Sequence, residues 1–202
     1  MADQSAEPAF VAADMLSQAE HGPDSQAMLV CQSEEIAHEV MQEVKRQKAL
    51  LARADSVEKS LSRSRIIVFS SREDMTDFAN AYAPEHLIIS MDRPWQVADK
   101  ITAAGSVFIG NFSPESAGDY ASGTNHTLPT GGWARSMSGV NIDSFMRKIT
   151  YQELTPKGLC ELAPTITAMA HAEGLGAHAA AVKVRLDFLK EINSGEESPE
   201  NK

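Results

Sequence analysis

The chain has 202 residues, 43% of them hydrophobic, enough for a sizeable core in one domain or in one domain with an appendage. Its net charge of −10 excludes a nucleic-acid surface, which needs clustered Lys and Arg to track phosphates. No apolar run approaches the roughly twenty residues that span a bilayer, and "MADQSAEPAF" has neither the basic start nor the apolar stretch of a secretory leader.

In chain order, Pro8 suits the first turn of a helix that runs to about Ala19, with Phe10, Val11, Met15 and Leu16 as its apolar stripe. "AMLVC" (27–31) predicts a short buried strand. "SEEIAHEVMQEVKRQKALLARA" (33–54) predicts one long helix, capped by Ser33 and carrying Ile36, Val40 and Val44 on one face. Its basic run "KRQKALLAR" (45–53) reads as a solvated face. "RIIVFS" (65–70) is a second strand, and "SREDMTDFANAYA" (71–83) a helix with acids in its first turn. "HLIIS" (86–90) is a third strand, "PWQVADKITAAG" (94–105) a helix ending in Gly, and "SVFIG" (106–110) a fourth strand. Four apolar strands alternating with three helices predict an α/β fold with a largely parallel sheet and flanking helices. Such sheets place ligand chemistry in the loops that follow the strands.

The stretch "NFSPESAGDYASGTNHTLPTGGWARSMSG" (111–139) fits that rule: a long Gly-, Ser- and Pro-rich segment that carries Glu115, Asp119, Tyr120, Asn125, His126 and Trp133. A loop this long inside a compact domain is usually functional. Beyond it, "RKITYQELT" (147–155) predicts a strand. Two helices follow, over about 156–172 and from near Gly174-Leu175-Gly176 to about Ile192, and then a polar tail read as disordered. These divisions predict an α/β part over 1–146, a C-terminal helical part over 147–193 and a disordered tail over 194–202. Cys31 and Cys160 lie far apart in apolar surroundings and read as buried reduced thiols, so the cytoplasm is the expected compartment.

Three clusters carry chemistry. Gln18 and His21 stand three apart at a helix end, so both side chains can reach one ion, although a His before Gly22-Pro23 is also ordinary helix punctuation. Glu85 and His86 precede the third strand, where they are either a pair able to move protons near neutral pH or a solvated corner. Asp119 and His126, with glycines between them, suit a metal or a polar substrate. His178, among alanines, and Glu173, before Gly174, read more readily as structural; His38 and His171 read as surface or packing residues. The sequence has no GxGxxG, no GxxxxGK[ST] and no GxSxG, so no nucleotide fingerprint or nucleophile elbow is present.

Taken together, "ADQSAEPAFVAADMLSQAEHGPDSQ", "AYAPEHLII", "AGSVFIGNFSPESAGDYASGTNHTLPTGG", "TPKGL" and "AEGLGAH" strongly resemble the histidinol dehydrogenase family. The resemblance implies a partial Rossmann-like α/β domain and a small C-terminal helical appendage exchanged in a homodimer. It implies oxidation of L-histidinol to L-histidine in two NAD-linked steps, by way of the aldehyde. Gln18, His21, Asp119 and His178 match the zinc ligands, with His178 supplied across the dimer interface. Glu85 and His86 match the acid–base pair, and His126 and Glu173, with Asp119, match the substrate-binding residues. On that correspondence Gly22-Pro23 stops the helix so that its last turn faces the metal.

The family's chains are about twice as long and the resemblance covers their C-terminal half, so a separate N-terminal half would carry the NAD site, and a sheet missing strands would expose an unpaired edge. Two rival readings follow. One is a related metal-dependent alcohol dehydrogenase acting on another polyol. The other is a non-catalytic fragment that binds zinc or dimerises through its C-terminal helices.

Overall fold

The computed structural model describes residues 1–52 and 54–195, in two compact units, Met1–Met146 and a second beginning at Arg147. The first unit is α/β. Strands β1 (Met28–Cys31) and β2 (Arg65–Val68) pair in parallel, as do β3 (His86–Ile89) and β4 (Ser106–Ile109). The two pairs are joined through residues 1–3: Ala2 bridges Cys31 on one side and Ser90 on the other, both in parallel. The sheet therefore runs β2, β1, the Met1–Asp3 segment, β3, β4. Asp3 anchors the middle segment from beneath, its carboxylate accepting from the Ser5 and Asp92 amides at 2.9 and 3.0 Å and from Arg72 at 2.7 Å.

Helices cover both faces. On one, α1 (Pro8–His21) and α2 (Glu34–Lys48) bury Val11, Ala12, Ile36, Ala37 and Val40 against Ala2, Leu29 and Cys31. On the other, α4 (Arg72–Tyr82) and α5 (Trp95–Ala98) bury Met75, Ala79 and Val97 against Met1, Val30, Leu87 and Ile89. Leu29 and Cys31 face one layer and Val30 the other, the period-two alternation of a strand covered on both sides. Pro8 opens α1, where its missing N–H costs nothing, and Ser33 and Ser71 cap α2 and α4 through the Ile36 and Asp74 amides.

Several elements differ from the sequence reading. The long helix expected over 33–54 ends at Lys48, and a separate α3 (Ala54–Arg63) seats Val57 against Leu16 and Ala19 of α1. The helix expected over 94–105 is the single turn of α5. The segment 111–139 holds a helix, α6 (Glu115–Tyr120). The strand expected over 147–155 does not form: those residues are exposed and meet no partner strand, and a lone extended segment gains no ladder. Cys31 is buried as expected, but Cys160 is exposed on α7.

The second unit is a pair of packed helices, α7 (Pro156–Ala172) and α8 (Gly176–Gly195). The turn between them is left-handed at Gly174 (φ 74°) and closed by the Leu175 amide on the Ala170 carbonyl at 2.8 Å. Most of the tail expected to be disordered lies outside the described residues. Among the described residues no helix is long and apolar enough to cross a membrane.

Candidate active site

The chemistry gathers around His86, the first residue of β3, with Glu115 and Asp119 supplied by the segment that follows β4. The physical reason lies in the connections. Parallel strands require α1 to return the chain to the start of β1, which carries the last turn of α1 back to the strand beginnings. Ala83 ends α4 in the left-handed region (φ 53°), with its amide on the Ala79 carbonyl. This sharp reversal aims Pro84 and Glu85 straight into β3.

Around His86 stand the last turn of α1, bearing Gln18 and His21, and α6, bearing Glu115 and Asp119 four apart on one face. His21 Nε2 is 2.9 Å from Glu115 Oε1, and His86 Nδ1 is 3.7 Å from the same oxygen. The two imidazoles lie almost parallel, centroids 6.5 Å apart. One ligand atom each from His21, Glu115 and Asp119 falls within 4.8 Å of the others, the spacing of donors around a single cation. Glu115 is the residue that the sequence reading passed over without a role. It is only 2% exposed, and its i, i+4 relation to Asp119 is a helical signal hidden in a segment that looks like a loop.

Three polar atoms at this site are buried without a hydrogen-bond partner: Gln18 Oε1 and both ring nitrogens of His86. Orphaned acceptors and imidazoles are costly unless a ligand completes them. The imidazole and two carboxylates of the cluster, with Gln18 Oε1 in the cleft that Glu115 lines, make an oxygen- and nitrogen-rich set that fits a divalent cation with room for further ligands. Burial pushes the Glu85 carboxyl above the usual carboxylate range; His86 opposes the rise, while Glu115 and Asp119 add to it. Burial, helped by Glu115, also lifts Asp14 to about 6.

Asp14, Gln18, Glu85, His86 and Glu115 line a cleft of about 730 Å³ that continues between β1 and β3. Gln18, His21, Glu85, His86 and Asp119 thus all converge on one place. His126 does not line the cleft and is exposed beyond α6. Glu173 and His178 belong to the second unit, exposed on either side of the Gly174 turn. His38 is exposed and bonded to Gln42 at 2.7 Å.

The family model for histidinol dehydrogenase matches residues 1–186. The histidinol dehydrogenases of Bacteroides fragilis (strain YCH46) and Yersinia pestis are 57% and 51% identical to 94% of the chain. The crystal structure of histidinol dehydrogenase from Elizabethkingia anophelis superposes with a TM-score of 0.89 at 54% identity, again over 94% of the chain. The chain spans less than half the length of these relatives: 44%, 43% and 44% in the same order. A match this broad and this close, in sequence and in fold, places the chain in the histidinol dehydrogenase family.

Proposed function

We propose that this chain carries the metal site and the acid–base pair of a zinc- and NAD-dependent histidinol dehydrogenase, working in the cytoplasm as part of histidine biosynthesis. The observation that carries the proposal is the convergence of donor atoms from His21, Glu115 and Asp119 within 4.8 Å, with a buried, unpartnered Gln18 Oε1 in the cleft that Glu115 also lines. Gln18, His21 and Asp119 would hold the zinc, with His178 of the partner subunit completing the set in a homodimer. A zinc held by these residues would bind L-histidinol through its imidazole and amine and so supply orientation of the hydroxyl-bearing carbon.

The chain's own side chains do the proton chemistry. His86, with both nitrogens free and its ring almost wholly buried, takes the alcohol proton as the first hydride leaves. In the second oxidation Glu85 and His86 draw a proton from the water that attacks the aldehyde. The raised Glu85 pKa makes its carboxylate a stronger base for that exchange. His126 and Glu173 would bind the polar ends of the substrate. NAD would be held by the part of the relatives' length that lies outside the matched region.

The test is zinc content and NADH formation from L-histidinol, with the chain alone and with the complementary half of a relative supplied. The chain alone should take up zinc and form no NADH, and the reconstituted pair should turn over. His86→Ala should abolish that turnover and leave zinc content unchanged. Failure to bind zinc would overturn the metal assignment, and NADH from the chain alone would overturn the placement of NAD.

A further inference from the structure

A neutral imidazole carries its hydrogen on one ring nitrogen and a lone pair on the other, so a histidine base works only in the right tautomer. Both nitrogens of His86 are buried without a hydrogen-bond partner. Aromatic neighbours set where the ring lies. His86 stands opposite Ser106 in the β3–β4 register, so Phe108, two residues on, shares its side of the pair, with ring centroids 6.0 Å apart. The His21 ring lies almost parallel to it at 6.5 Å. Ring packing of this kind places the imidazole but does not tell Nδ1 from Nε2.

Glu115 does tell them apart. Among the described residues its carboxylate is the one that comes within 4 Å of a His86 ring nitrogen, Oε1 standing 3.7 Å from Nδ1. That is about 0.8 Å longer than an N–H···O bond of ~2.9 Å, and bonds to a base are often long before substrate binds. Glu115 is almost wholly buried, and its other described partner is again an imidazole, His21 Nε2 at 2.9 Å. The spacing is built into the core through Phe108. Gly118, one turn after Glu115 on α6, lies so close to that ring that a Cβ there would stand 2.6 Å from it. Phe108 therefore packs against both the imidazole and the helix that carries its carboxylate.

We infer that Glu115 is the positioning residue of His86: its carboxylate accepts from Nδ1–H, fixes that tautomer, and leaves Nε2 as the atom that takes the proton of the substrate. This rests on the reading above, in which His86 is the base. As the hydride leaves for NAD and the C–O bond becomes C=O, the hydroxyl proton moves to Nε2. The carboxylate then stands against the positive charge that forms on the ring. A glutamine at 115 would undo the arrangement, because its amide can donate to a bare Nδ1 and so favour hydrogen on Nε2.

The test reads the tautomer directly, from the NMR shifts of the two His86 ring nitrogens in the full 202-residue chain, metal-free and at a pH where the ring is neutral. The parent should carry its hydrogen on Nδ1 and none on Nε2. Glu115→Gln should shift the tautomer ratio toward Nε2–H by about tenfold or more, while the exposed His38 ring, bonded to Gln42, keeps its shifts. In the reconstituted enzyme at saturating zinc, the same variant should lower kcat by about 10²–10⁴-fold and leave KM for L-histidinol within about threefold. A parent ring with its hydrogen on Nε2, an unchanged ratio in Glu115→Gln, or a loss confined to KM would each overturn the inference. The first of these needs no variant, so a Glu115→Gln chain that failed to fold would not shelter it. The tautomer requires neither zinc nor NADH. If His86→Ala kept its turnover, the assignment of the base would fall while the parent's tautomer still decided the pairing of His86 with Glu115.

Discussion

Replacing Gly105 with alanine tests whether the backbone seating of Glu85 sets the geometry of the site. Gly105 lies one residue before β4; its amide donates to the Pro84 carbonyl at 2.9 Å, and the next amide, of Ser106, to the Glu85 carbonyl at 2.9 Å. A Cβ on Gly105 would stand 2.5 Å from the Glu85 carbonyl oxygen and 3.2 Å from Leu128 Cβ. The shortfall from ordinary contact is about 0.9 Å (3.4 − 2.5), and the obstacle is backbone, so no rotamer change relieves it. The start of β4 must back away from Pro84 and Glu85. Overpacking of this kind costs about 1–3 kcal/mol, and weakening two hydrogen bonds adds about 1 kcal/mol. At roughly 2–4 °C per kcal/mol for a chain of this size, the melting transition should fall by about 4–16 °C. A displacement approaching 1 Å at Glu85 should also lower the rate of the reconstituted enzyme by about a hundredfold. Calorimetry and NADH formation read the two effects. Gly176→Ala, where the new methyl meets nothing within 4 Å, is the matched control and should be neutral or slightly stabilising. A Gly105→Ala protein that melts within about a degree of its parent would refute the reasoning.

Two further predictions concern buried carboxylates. Glu115→Gln keeps the shape of a side chain wedged 2.9 Å from His21 and 3.7 Å from His86 but removes its charge, so zinc affinity should drop about 10–100-fold, as competition with a chromophoric chelator would measure. Unchanged affinity would remove Glu115 from the metal's surroundings. Asp3→Asn should lower stability by about 1–3 kcal/mol at neutral pH and flatten its acid dependence in urea unfolding. Burial alone would push the Asp3 carboxyl up, but Ser5, Asp92 and Arg72 together hold it below its ordinary 3.8. A lowered folded pKa means that the contribution is complete above the unfolded value and disappears as pH falls through the folded one. The wild-type protein should therefore lose stability below about pH 4 more steeply than the variant does.

Much of the first unit was legible because its strands are short runs of Val, Ile, Leu and Phe, most deeply buried in β1 and β3. All four formed where the apolar runs stand. The failures share a cause: pairing and packing decided what local pattern did not. "RKITYQELT" has strand composition but no neighbour to pair with. "DSVEKSLSR" is too polar to stand out, yet the one face of α3 that carries Val57 and Ser60 is fully buried. The central sheet position is taken by "MAD", which has no hydrophobic run at all and is held by ladder bonds and by Asp3.

At the site, the residues that could be read were those whose spacing states its own geometry: Gln18 and His21 one turn apart, Glu85 and His86 adjacent at a strand start. Glu115 was hidden because Gly, Ser and Asp weaken the helical signal of "ESAGDY", so a carboxylate facing the site looked like one more polar loop residue. The segment after β4 does bring Glu115 and Asp119 to the site, but α6 sets them beside the start of β3, where the last turn of α1 also delivers its donors, and not in a crevice at the strands' carboxyl ends.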